Sequence, residues 1–133
     1  MEEKELMILF LDDDPKRAVL AYNRMSVTDR SNTIWCQTAA ETIQTVWDYR
    51  DRLTKVSLDH DLGGRQYDNT KREDCGMEVI RFLENKARKE PEEFKKLEGT
   101  LFVIHSWNVH AAPIMQDRLS KLGLNSVWIP FGM

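Results

Sequence analysis

Apolar and polar positions alternate along this chain in blocks that switch between two periods. "LMILFL" (6–11) is apolar at every position, the pattern of a strand buried on both faces. "PKRAVLAYNRM" (15–25) then puts Ala18, Val19, Tyr22 and Met25 on one helical face, with Pro15 at a tolerated first-turn position. "TIWCQT" (33–38) is β-branched and aromatic, and "AAETIQTVWDYRDRL" (39–53) returns to helical spacing through Ala39, Ile43, Val46, Trp47 and Arg50. "KVSL" (55–58) predicts a third strand, and the polar run 63–74 a long loop. "CGMEVIRFLENKARK" (75–89) carries Gly76, Val79, Ile80, Leu83 and Ala87 on one face. Residues 90–99 run from proline and acids to lysines and glycine, the charge order of a short helical piece. "TLFVIHS" (100–106) predicts a fourth strand and "SVWIPF" (126–131) a fifth. Between them lies a helix over 111–123 that ends at Gly123, with Pro113 confined to its first turn.

Strands alternating with helices predict an α/β fold, a doubly wound, flavodoxin-like five-stranded parallel sheet of order 2-1-3-4-5 in a single domain, 1–133. The fold is expected to lack the helix that would follow the fifth strand. In this topology ligands bind beyond the C-terminal strand ends, near strands 1 and 3. Asp12, Asp13 and Asp14 follow strand 1; Asp59 and Asp61 follow strand 3; His105, Ser106 and Asn108 follow strand 4. Three separate segments thus bring polar side chains to one rim.

Composition narrows the partners. The 133 residues carry a net charge of −3, which gives no general attraction to a DNA duplex or an anionic membrane. The N-terminal run lacks the features of a signal peptide, and no stretch approaches the ~20 apolar residues that span a bilayer, so a cytoplasmic location is expected. Cys36 and Cys75 stand far apart without a CxxC pair, so both are expected as thiols.

Carboxylates at two strand ends suit a hard divalent cation, Mg²⁺ or, with a histidine nearby, Mn²⁺. Asp13 and Asp59 are the first expected ligands, with Asp12 or Asp61 in support. The alternative for the strand-1 acids is an N-cap on the first helix, and for "DHDLGG" a solvated turn. His60 and His105 are candidates for proton transfer, since histidine titrates near ~6.5. His60 adjoins Asp59 in extended chain, however, where neighbouring side chains face opposite sides. Arg65, with Lys71 and Arg72, either closes over a phosphate or belongs to a solvated loop. Trp107 is the aromatic placed to stack a base.

"ILFLDDDPKRA", "VSLDHDLGG", "CGMEVIRFL" and "VWIPFG" together resemble a response-regulator receiver domain. That resemblance maps the receiver's acid pair onto Asp12 and Asp13, and its phosphoacceptor onto Asp59. The departures are informative. Receivers place a lysine before the last proline, where this chain has Ile129. Their strand-4 hydroxyl falls on Ser106 only with a shifted register. His60 and His105 stand where ordinary receivers have no histidine. The altered set resembles the atypical receiver-like family that processes cyclic phosphates in phage and bacterial RNA-repair settings, which shares an LDHDLG-like motif and a histidine at the end of strand 4.

The resemblance implies a metal-dependent phosphoesterase acting on cyclic phosphates of RNA ends or small nucleotides. Asp59, His60 and His105 would be catalytic, and Ser106, Asn108 and Arg65 would bind substrate. Two other functions compete: a signalling receiver phosphorylated on Asp59, and a module that sequesters a nucleotide without turning it over.

Overall fold

The computed structural model describes residues 5–62 and 75–132. Five parallel strands, β1 (Met7–Leu11), β2 (Thr33–Cys36), β3 (Leu53–Leu58), β4 (Leu101–Ile104) and β5 (Asn125–Trp128), pair in the order β2-β1-β3-β4-β5. The helices are α1 (Pro15–Asn23), α2 (Val27–Ser31), α3 (Ala39–Asp48), α4 (Met77–Lys89), α5 (Pro91–Phe94) and α6 (Ala111–Lys121). A 3₁₀ turn at Lys95–Leu97 extends α5. No helix follows β5 among the described residues, and none of their helices is long and apolar enough to cross a membrane. The fold is the one the alternation of apolar runs predicts.

Two elements differ from the sequence expectation. α2 has no apolar periodicity; Ser26 caps it by accepting from the Asp29 amide at 3.1 Å, so local hydrogen bonding alone makes it. α3 stops at Asp48 rather than reaching residue 53. Arg50, which the spacing placed on the helical stripe, instead stacks over Trp47 at 4.6 Å and reaches Glu93 at 2.7 Å. The long end of α6 follows expectation: Gly123 takes φ +82° just past the helix, a conformation glycine adopts without a Cβ clash.

The two faces of the sheet are unequally covered. One packs against α3, α4 and α6 in a large core that includes Leu9, Leu58, Ile80, Leu83, Phe102 and Met115, all fully buried. The other holds only a small cluster of Phe10, Ala18 and Ala21 beneath α1. Phe102 lies in the large core, so Phe102→Ala is expected to cost about 3–5 kcal/mol, read as a lower urea midpoint at unchanged slope.

Candidate functional site

Neighbouring strand ends assemble the site. Beyond β1, the Asp12 amide donates to Cys36 O at 3.0 Å, and the Trp35 indole donates to Asp12 O at 2.7 Å. Beyond β3, the Asp59 amide donates to Leu11 O at 3.1 Å; beyond β4, the His105 amide donates to Leu58 O at 2.9 Å. The ladder thus continues one step past each strand and fixes three side chains side by side. Asp12, Asp59 and His105 are all buried, and one ligand atom from each lies within 4.8 Å of the others.

The remaining predicted acids divide between other tasks. Asp14, not Asp12 or Asp13, caps α1: its Oδ1 accepts from the Lys16 amide at 2.8 Å. The capping role foreseen for this acidic run therefore leaves Asp12 to the cluster. Asp13 is half-buried at the rim, with its Oδ1 3.8 Å from Arg17 Nη2. Asp61 turns to the neighbouring loop, where its Oδ1 accepts from His60 Nδ1 at 2.8 Å and Asn108 Nδ2 at 3.0 Å. The three-ligand cluster among the described residues thus contains His105 in place of Asp13 and Asp61.

Arg17 is the residue that sequence reasoning missed. Its guanidinium grips Asp12 bidentately, Nε to Oδ2 at 2.7 Å and Nη2 to Oδ1 at 2.8 Å, and Nη2 lies 3.4 Å from Asp59 Oδ2. One helical turn into α1, it brings a permanent positive charge into the acids. Its position five residues after Asp12, on the first turn of a helix that leaves the strand end, is the signal that could have found it.

Electrostatics separate the two buried carboxylates. Burial pushes Asp12 up, but hydrogen bonds from His105, Arg17 and the Asp14 amide outweigh it and hold the group below its ordinary value. Asp59 goes the other way. Burial raises it to about 6, helped by the Asp12 charge and only partly opposed by His105, Arg17 and the His60 amide. Burying a second carboxylate beside the first leaves negative charge that a bound cation would neutralise. Two carboxylates and an imidazole fit Mg²⁺ or Mn²⁺, the imidazole favouring Mn²⁺.

His105 is buried and stacked on Phe10, with ring centroids 4.7 Å apart. Its Nε2 meets Asp12 Oδ2 at 3.0 Å and its Nδ1 meets Ser57 Oγ at 2.8 Å. A hydroxyl both donates and accepts, so Ser57 supports either tautomer of the ring. Partners that orient a ligand in this way contribute 10- to 100-fold to metal affinity. Ser57→Ala is accordingly expected to weaken Mn²⁺ binding by about 10-fold in calorimetric titration without unfolding the protein.

The second histidine is placed differently. His60 is fully buried between Asp61 and Cys75. Burial lowers its pKa, yet hydrogen bonding with Cys75 and Asp61 prevails and raises it, while His60 in turn holds the Cys75 thiol down against its own burial. Asn108 Oδ1 accepts from the Ala111 amide at 2.9 Å and the His110 amide at 3.1 Å, so it caps α6 while tying it to Asp61. The Ser106 hydroxyl accepts from the Asn108 amide at 3.0 Å, and Trp128 donates to Ser106 O at 2.9 Å. Ser106 thus faces its own loop, and Asn108 meets Asp61 rather than Asp12 or Asp59. Arg65, Lys71 and Arg72 lie outside the described residues. Trp107 is 55% exposed, its indole donating to Phe131 O at 3.0 Å.

Gly76 secures the back of the site. Its amide donates to His60 O at 2.8 Å, and a Cβ there would come within 2.0 Å of Asp59 O. Only glycine lets α4 start this close to the strand end that carries Asp59.

A doubly wound sheet with acids at the ends of strands 1 and 3 defines the receiver class of domains. Within that class the chain belongs to the family described as the cyclic-phosphate processing receiver domain, whose model matches residues 7–121. Solved structures similar in fold include the receiver domain of a putative LuxO repressor protein from Vibrio parahaemolyticus, at 15% identity and TM-score 0.58 over 98% of this chain and 81% of that one. The response regulator domain of Thermotoga maritima CheB matches at 9% identity and TM-score 0.59, over 96% and 78%. The receiver domain of Saccharomyces cerevisiae Ssk1, solved with the histidine phosphotransfer protein Ypd1, matches at 10% identity and TM-score 0.56, over 96% and 81%. No curated protein matches the chain.

Proposed function

We propose that this protein hydrolyses cyclic phosphates of RNA ends or small nucleotides in a reaction that depends on Mg²⁺ or Mn²⁺. The observation that carries this reading is the buried Asp12–Asp59–His105 cluster with Arg17 folded into it. Membership of a family described by cyclic-phosphate processing supports it. Asp12, Asp59 and His105 would hold the cation, which when bound would neutralise phosphate charge and activate water. Arg17 supplies the fork that suits phosphate oxygens, the task a receiver gives to the lysine replaced here by Ile129. His105, whose Nε2 faces the carboxylates, is the histidine assigned to the chemistry; His60 is a positioning residue for the adjoining loops.

Incubation with Mn²⁺ or Mg²⁺ and either 2′,3′-cyclic nucleotides or RNA ending in a cyclic phosphate should yield monophosphates, and Asp59→Asn should abolish the yield. Absence of turnover with every divalent cation would overturn the reading. Stable phosphorylation of Asp59 by a small phosphodonor would replace it with signalling. His105→Ala is expected to weaken Mn²⁺ binding by about 10-fold or more in calorimetry and to lower turnover with it. Unchanged Mn²⁺ affinity with turnover cut by about 10²–10⁴ would make His105 a proton donor rather than a ligand.

A further inference from the structure

We propose that the thinly covered face of the sheet receives an acidic amphipathic helix from a partner protein. Strands of a doubly wound parallel sheet are covered on both faces. Here α1 covers β1 on this side, while Leu101, Val103 and Ile129 remain partly or largely exposed, with Leu101 at 38% and Ile129 at 47%. Between α1 and the chain beyond β5 runs an open groove of about 370 Å³.

The groove has the dimensions of one helix. Its floor runs along β4 from Leu101 to His105, four residue steps of ~3.3 Å or about 13 Å, the rise of roughly nine helical residues. Strands lie ~4.8 Å apart, so the space over β3 and β4, bounded by Ile129 and Phe131 beyond β5, is about 10 Å wide, one helix diameter. The floor's buried polar pair, Ser57 and His105, is already hydrogen-bonded internally at 2.8 Å and asks nothing of an occupant.

Charge selects the occupant. The chain is acidic overall, yet no carboxylate lines this groove. Its two charged lining residues are Lys55, half-buried on the floor, and Arg24, whose guanidinium lies 5.2 Å from the centre of the Phe131 ring. Neither forms an ion pair among the described residues. An apolar helical stripe edged by Glu or Asp would cover the apolar floor and meet both cations, a helix-in-groove mode of recognition. A second copy of this chain is a poorer match: its α2, with Val27 exposed, spans only five residues, and its α1, with Val19 and Leu20 exposed, carries no carboxylate.

The test uses the 133-residue chain and two fluorescein-labelled helical peptides with the same Leu/Ile stripe, one edged by Glu and one by Lys. Fluorescence anisotropy should show the Glu-edged peptide binding at least about 10-fold more tightly. Arg24→Glu with Lys55→Glu should reverse that preference, with circular dichroism unchanged. Amide shifts on peptide addition should fall on Leu101, Val103 and Ile129. Equal affinity for the two peptides, no binding of either, indifference to the charge reversal, or shifts elsewhere would each overturn the proposal. Concentration-dependent dimerisation that the same double substitution abolishes would assign the face to a second copy and overturn it equally.

Discussion

At pH 7 and without divalent cation, Asp59→Asn is expected to be more stable than the parent protein by roughly 2–3 kcal/mol. Burial and the Asp12 charge raise the folded-state pKa of Asp59 to about 6, against ~3.9 in an unfolded chain. Below ~3.9 the group is protonated in both states and carries no penalty. As pH rises through about 6 the folded protein must ionise a buried carboxylate, and stability is lost. Each unit of separation is worth ~1.4 kcal/mol, so two units give the stated magnitude. Urea unfolding in a chelator should therefore show the variant's advantage near zero at about pH 4 and complete above about pH 7. The amide keeps an acceptor for the His60 amide, which meets Asp59 Oδ1 at 2.8 Å, so local geometry is retained. Added Mn²⁺ should stabilise the parent and leave the variant unmoved. Parallel pH curves for the two proteins would show that Asp59 is not strained in this way, and with that the electrostatic case for a cation site would fail.

The order of strands and the meeting of a strand-1 acid with Asp59 were legible in the sequence, because both follow from apolar runs and from the edge to which a doubly wound sheet sends its loops; Asp13 was the acid expected first, and Asp12 is the one that meets Asp59. Which acids turn inward was less legible. Asp12, Asp13 and Asp14 are chemically alike, and only folded geometry divides them: Asp12 buried under Arg17 and His105, Asp13 at the rim, Asp14 on the helix N-terminus. Alternation of side chains in extended chain predicts that His60 faces away from Asp59, in line with its burial against Asp61 and Cys75. The same alternation carries no sign of Ser57's role, because its partner, His105, is 48 residues distant. Gly76 read as part of an apolar helical face, whereas its role comes from the Asp59 carbonyl lying where a Cβ would be. Long-range contacts of this kind leave no periodic trace. Arg17 was hidden for the opposite reason: an arginine on the first turn of a helix looks like ordinary surface charge.

Arg17→Gln should separate the two uses of positive charge at this site. In the parent, Arg17 holds both oxygens of Asp12 and approaches Asp59, so a divalent cation entering the cluster competes with a guanidinium already there. Removing that competitor is expected to tighten Mn²⁺ binding, by about 10-fold in calorimetry, since one charge–charge contact near a protein surface is worth a few kcal/mol before screening. The same change removes the fork that would hold substrate phosphate. Turnover of a 2′,3′-cyclic nucleotide should fall by about 10²–10³, mostly in kcat, as expected for loss of a preorganised transition-state contact. Arg17→Lys keeps the charge but not the bidentate geometry, and should fall between parent and Gln variant in both measurements. A structural strut would behave otherwise: its loss would lower stability and metal affinity together, because Asp12 would lose its anchor. Opposite movements of metal affinity and turnover are therefore the signature that Arg17 serves the substrate. Joint decline would reduce it to a clamp on Asp12 and leave the phosphate without a cationic partner among the residues described.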